Sequence, residues 1–130
     1  MFEWINIQEI WDARGRLRVL EQGDQIPFEM KRVYLISDPL NEAARGFHAH
    51  IRLQQVMVCL QGQCDLRLDD GEQKAHICLK SGGQGVWVKP WTWRELAGFS
   101  EDCLLMVLAS EPYDEDDYIR DYETFLAKRP

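Results

Sequence analysis

The sequence predicts an all-β chain: an antiparallel β-sandwich or jelly-roll barrel with one short C-terminal helix. Three observations carry that expectation. Short stretches alternate apolar and polar residues, as half-buried strands do. Gly, Pro, Asn and Asp punctuate them at regular intervals. Only the last stretch shifts its apolar spacing to a helical period.

The elements follow in order. Phe2 to Ile7 alternates as a strand, and Asp12-Ala13-Arg14-Gly15 reads as a turn. Leu17 to Glu21 alternates again, then Gly23-Asp24 and Pro27 mark a loop. Lys31 to Ile36 is a strand, and Ser37-Asp38-Pro39 with Asn41-Glu42 forms the loop that leads to Arg45-Gly46-Phe47-His48-Ala49-His50. Gln55 to Leu60 is a nearly continuous apolar strand ended by Gly62. Cys64 to Leu68 and Ala75 to Leu79 flank the Asp69-Asp70-Gly71 turn as a hairpin. Val86-Trp87-Val88, Trp91 to Leu96 and Cys103 to Ala109 supply the remaining strands. In the tail, Asp114 is the expected N-cap of a helix whose Tyr118, Ile119, Tyr122, Phe125 and Leu126 form a packing stripe.

At 130 residues the chain fits one domain, residues 1–130, and 45% hydrophobic content is ordinary for a globular protein. The net charge of −7 argues against nucleic acid and anionic membranes as partners. No apolar run is long enough to span a bilayer. Local basic clusters still permit a small anion: Arg14, Arg16 and Arg18; Lys31 and Arg32; Arg45 and Arg52. The four cysteines lack C-x-x-C spacing and read as reduced core thiols of a cytoplasmic protein.

The stretch RGFHAH holds two of the three histidines. In an extended strand His48 and His50 share a face, with Phe47, Ala49 and Ile51 on the other. The pair suits a metal site or acid/base work near neutral pH, while the plain alternative is two surface histidines. His76, away from any motif, reads as structural or exposed.

His48-Ala49-His50, with Gln55 in the acidic position and Gly62 beyond it, resembles the first cupin motif. The second motif is degenerate: Pro90 is present, Thr92 replaces Gly and Glu95 stands where His would be. Metal cupins hold a divalent ion through His, His, Glu and a second-motif His. Here the carboxylate is a neutral Gln, so a metal-free proton-transfer site is the favoured reading. A residual His48, His50 and Glu95 set is the metal-binding alternative.

Beyond that motif, the chain resembles the dTDP-sugar 3,4-ketoisomerases, the WxcM-like cupins. The resemblance runs through D-x-R-G-x-L at Asp12 to Leu17, I-P-F at Ile26 to Phe28, and K-R-V-Y at Lys31 to Tyr34. It continues in R-G-x-H-A-H at Arg45 to His50, Q-V-x-V-C-L-x-G at Gln55 to Gly62, Leu68-Asp69-Asp70-Gly71, and the ending at Val107 to Arg120. It implies a cupin jelly roll and a homodimer with an exchanged N-terminal strand. The implied substrate is dTDP-4-keto-6-deoxyglucose, isomerised to its 3-keto form without cofactor or metal. A sugar-nucleotide epimerase or a non-catalytic sugar-nucleotide binder on the same scaffold is the alternative.

Moving a ketone from C4 to C3 removes the C3 proton and reprotonates C4 through an enediol, which is imidazole chemistry. His50 is the expected base and His48 the second acid/base, with the two roles open to exchange. Tyr34 is a candidate relay. Arginine forks suit a diphosphate, so Arg45, Arg14, Lys31 and Arg32 are expected at the nucleotide and the sugar rim. Gln55, Arg94 and Glu95 complete the expected substrate contacts. Some relatives carry W-H-E where this chain has Trp93-Arg94-Glu95, which ties Arg94, together with Arg14, to the face on which C4 is reprotonated.

Overall fold

The computed structural model describes residues 1–41 and 43–130; Glu42, expected in the loop before RGFHAH, lies outside them. The strands are β1 (Phe2–Ile5), β2 (Gln8–Asp12), β3 (Gly15–Val19), β4 (Arg32–Ile36), β5 (Arg45–His50) and β6 (Gln55–Gln61). They continue as β7 (Gln63–Asp69), β8 (Lys74–Lys80), β9 (Gly85–Val88), β10 (Trp93–Ala97), β11 (Leu104–Ala109) and β12 (Tyr118–Ile119), before helix α1 (Tyr122–Lys128). Two five-stranded sheets face one another, β1-β9-β6-β11-β4 and β12-β5-β10-β7-β8, and β2-β3 stands apart as a hairpin. The expected jelly-roll sandwich is therefore present.

The alternation read from the sequence places the core. Met57 and Cys59 on β6, Leu66 and Leu68 on β7, and Leu105 and Val107 on β11 meet between the sheets. Each such aliphatic side chain contributes roughly 1.5–3 kcal/mol on burial. The opposite faces are also covered. Ile26, from the segment leading to β4, seals Val56, Val58 and Leu108 on one sheet. Phe125 of α1 packs on Ala49 and Trp93 of the other. Cys59, Cys64 and Cys103 are buried free thiols as expected, whereas Cys78 is exposed on the outer face of β8.

The tail departs from the single expected helix. Asp114 caps only a 3₁₀ turn, Glu115–Asp117. Tyr118 and Ile119 then pair with His50 and Ala49 as β12. The helix begins after a second cap, Asp121, whose side chain accepts the Thr124 N–H. Strand pairing along β5 satisfies the backbone of Tyr118 and Ile119, and this outweighs the helical spacing of their side chains.

A bulge shapes β5. Leu96 pairs with Arg45, Glu95 with Gly46 and Arg94 with His48, which leaves Phe47 unmatched. Gly46 and Phe47 both have left-handed backbones, with φ of 92° and 58°. A side chain at Gly46 would place Cβ 2.8 Å from the Arg94 carbonyl oxygen. The extra residue pushes Phe47 outward, where it is 46% exposed. It also resets parity: Arg45 joins His48 and His50 on the inner face, although simple alternation would oppose it.

Candidate active site

Between the sheets lies a cavity of about 520 Å³. Its wall includes Tyr34, His48, Gln55, Tyr118, Met57 and Leu96. Four arginines, Arg32, Arg45, Arg94 and Arg120, also line it, and among the described residues no carboxylate does. Four of the fifteen basic residues of an acidic protein thus meet in one concave space.

The bulge and the β12 pairing together pack three rings. The His48 and His50 ring centroids are 4.8 Å apart at 84°. Tyr118 lies 4.8 Å from His48 and 4.3 Å from His50. The histidines differ in access. His48 faces the cavity, whereas His50 sits behind it at 1% exposure. Burial first, then the Arg94 guanidinium, lowers the His48 pKa to about 4 and that of His50 to about 2. Both imidazoles are therefore neutral near pH 7 and available as bases.

Arg94 is a buried cation, 1% exposed. Its Nη1 donates to Gln55 Oε1, and Nη2 donates to the Thr92 carbonyl at 2.8 Å. Burial lowers its pKa to about 10, so it stays charged at neutral pH. Gln55 Nε2 donates to the Tyr34 hydroxyl oxygen at 2.9 Å. The Tyr34 proton is then left for a ligand. Burial raises the Tyr34 pKa, which keeps the phenol protonated.

Of the expected site residues, His48, Tyr34, Arg32, Arg45, Gln55 and Arg94 line one cavity, with His50 directly behind His48. Three others lie elsewhere. Arg14 sits in the exposed β2–β3 turn, with Nη2 2.6 Å from Asp12. Lys31 lies 3.8 Å from Glu111 and is not part of the wall. Glu95 follows Arg94 in β10 and so points to the opposite face. There it accepts the Trp93 indole N–H at 3.1 Å and lines a separate outer cavity with Arg67, Lys74 and Tyr122. The His48, His50 and Glu95 metal set is therefore not assembled, because strand parity separates the carboxylate from the histidines. His76 is exposed on the same outer face.

The structure adds residues that sequence reasoning passed over. Tyr118 and Arg120 line the cavity. The Arg120 guanidinium carbon lies 4.2 Å from the Tyr118 ring centroid, and Arg120 Nε and Nη2 donate to Glu115 at 2.6 and 2.9 Å. Asp117 approaches His50 from behind. Their signal is the acidic and aromatic run from Asp114 to Arg120, where the sequence predicts the start of the helix.

A jelly roll of two sheets with paired histidines facing its interior is a cupin barrel. A family model described as FdtA, WxcM-like, C-terminal matches residues 1–130, and the chain belongs to that family. A curated TDP-4-oxo-6-deoxy-alpha-D-glucose-3,4-oxoisomerase of Aneurinibacillus thermoaerophilus is 51% identical over 121 residues, 93% of this chain and 87% of that protein. A TDP-quinovose 3,4-ketoisomerase from Campylobacter jejuni superposes with a TM-score of 0.93 at 42% identity, covering 98% of both chains. A histidine-to-asparagine mutant of a Thermoanaerobacterium thermosaccharolyticum 3,4-ketoisomerase, solved with TDP-4-keto-6-deoxyglucose, gives 0.93 at 38% identity, covering 98% of this chain and 93% of that one. Two sugar epimerases match at 16% identity with TM-scores of 0.79 and 0.77, a likeness of fold alone.

Proposed function

We propose that this chain is a 3,4-ketoisomerase acting on a dTDP-linked 4-keto-6-deoxy sugar. The observation that carries the reading is a neutral, cavity-facing His48 walled by arginines, in a chain 51% identical to a named oxoisomerase.

His48 takes the C3 proton, which the C4 carbonyl acidifies, and returns a proton to C4. The expectation placed His50 in that role; its burial behind His48 supports the exchange of roles. Arg94 faces the charge that develops on the enediolate oxygens. Tyr34 shuttles the hydroxyl proton between O3 and O4, with Gln55 fixing its orientation. Arg32, Arg45 and Arg120 supply the forks for the diphosphate. Positioned acid/base groups of this kind contribute on the order of 10²–10⁴-fold. No step in this scheme calls for a metal or redox cofactor.

The protein acts as a cytoplasmic homodimer in which the N-terminal segment crosses to the partner. The exposed β2–β3 hairpin, with Trp11 at 67% and Leu17 at 59% exposure, supports this arrangement. Arg14 at its tip then belongs to the contact between subunits rather than to its own chain's cavity. No helix is long and apolar enough to cross a membrane among the described residues.

The test is dTDP-4-keto-6-deoxyglucose in D₂O followed by NMR. The expected result is a 3-keto product carrying solvent deuterium at C4. Absence of that product rejects the activity. Deuterium at C3 or C5 with the ketone still at C4 would identify an epimerase. His48→Asn is expected to bind the substrate and leave it unexchanged.

A further inference from the structure

Asp117 closes the 3₁₀ turn before β12 and is 3% exposed. Its Oδ1 accepts the Arg52 N–H at 2.8 Å and its Oδ2 the Leu53 N–H at 3.1 Å. These bonds fix the carboxylate against the chain leaving β5. Oδ2 also lies 3.3 Å from His50 Nδ1. Among the described residues neither ring nitrogen of His50 has a hydrogen-bond partner.

We propose that Asp117 is a positioning residue for the ketoisomerase site: its carboxylate holds His50 as the Nδ1–H tautomer and thereby sets the orientation of His48. The inference rests on the proton-transfer reading given above. With Nδ1 unprotonated, a ring lone pair would face an anion; with the proton there, the same contact is attractive. The 3.3 Å separation is long for a charge-assisted bond. Contacts of this kind tighten when substrate fills a site. His50 is wedged edge-on against His48 and against Tyr118, so a turned His50 ring displaces His48. The pairing of Tyr118 with His50 brings Asp117 to this place.

Asp117→Asn keeps the shape and removes one acceptor. With its oxygen kept for the Arg52 N–H, the new amide group points a donor at His50 Nδ1. His50 then switches to the Nε2–H tautomer, the failure expected when an amide replaces a carboxylate behind a catalytic histidine. The expected effect is a kcat loss of roughly 10–100-fold, with KM little changed. Ring ¹⁵N–¹H NMR of His50 should move from the Nδ1–H to the Nε2–H pattern. In a double-mutant cycle, His50→Asn with Asp117→Asn should be no slower than His50→Asn alone. Multiplying losses, or an unchanged tautomer in Asp117→Asn, would overturn the proposal. Should the variant not fold, the wild-type spectrum decides: an Nε2–H tautomer at His50 rejects it. A wild-type protein that makes no 3-keto product rejects the assigned reaction instead, a separate failure read in a separate assay.

Discussion

Arg94 Nη1 donates to Gln55 Oε1 across the barrel, from β10 in one sheet to β6 in the other. The acceptor is a neutral amide, so the bond satisfies the guanidinium without cancelling its charge. That charge then falls on His48 and His50 and is the second-largest cause of their depressed pKa values. The amide in the acidic position of the first cupin motif is thus part of what keeps the histidines unprotonated.

Gln55→Glu tests this relationship. A carboxylate would pair with Arg94 and favour the imidazolium of His48. The His48 pKa should rise toward its ordinary 6.5. A base must be unprotonated to act, so the acid limb of kcat/KM should move up by about one unit or more. Activity at pH 6 should fall more than activity at pH 8. A pH–rate profile identical to the wild type would refute the charge argument.

The wild-type profile carries its own prediction. Since His48 titrates near 4 rather than 6.5, activity should persist well below pH 6. Stability should respond with a defined sign. The unfolded histidine has the higher pKa, so the unfolded chain binds more protons between the two values. The contribution is fully present above pH 6.5 and is lost as pH falls toward 4. The slope approaches about 1.4 kcal/mol per pH unit for each buried histidine. Urea midpoints measured from pH 7 to pH 5 should fall accordingly; flat midpoints would contradict it.

Tyr34→Phe removes the proposed relay and leaves Gln55 Nε2 without its acceptor. We expect kcat to fall roughly 10²-fold. The orphaned amide should cost about 1 kcal/mol of stability. Steady-state kinetics and thermal unfolding read the two effects separately. An unchanged kcat would remove Tyr34 from the mechanism.

Gly46→Ala tests the bulge. The left-handed backbone alone costs a non-glycine residue roughly 1–2 kcal/mol. The new Cβ would also meet the Arg94 carbonyl oxygen at 2.8 Å. Relief requires β5 and β10 to part where His48 and Arg94 face each other. Both the melting temperature and kcat should drop. Loss of stability with full activity would show that the bulge does not position His48.

These residues also mark how far the sequence could be read. Strands were legible because several bury one side, which writes itself into every second residue, while β6, covered on both faces, reads as a continuous apolar run. The shared face of His48 and His50 followed from the same rule. Arg45 joined them for a reason that alternation hides, since one unmatched residue at Phe47 reverses parity. Glu95 was expected at the substrate from its place in a motif; its position beside the inward Arg94 puts it outside. Tyr118 and Ile119 fit a helical stripe because strand and helix spacing coincide over so short a run. Only pairing with β5 decides between them, and pairing is a long-range fact. Asp117 is recognisable only once that pairing is known.

The arginine-lined cavity has a consequence for traffic around the molecule. The chain carries a net charge of −7, yet the guanidinium groups of this cavity meet no carboxylate in its wall among the described residues. An extended polyanion meets the acidic exterior and is repelled; a compact one that enters the opening passes into a region of opposite sign. The protein acts as a sieve in which size decides the sign of the charge a visitor experiences.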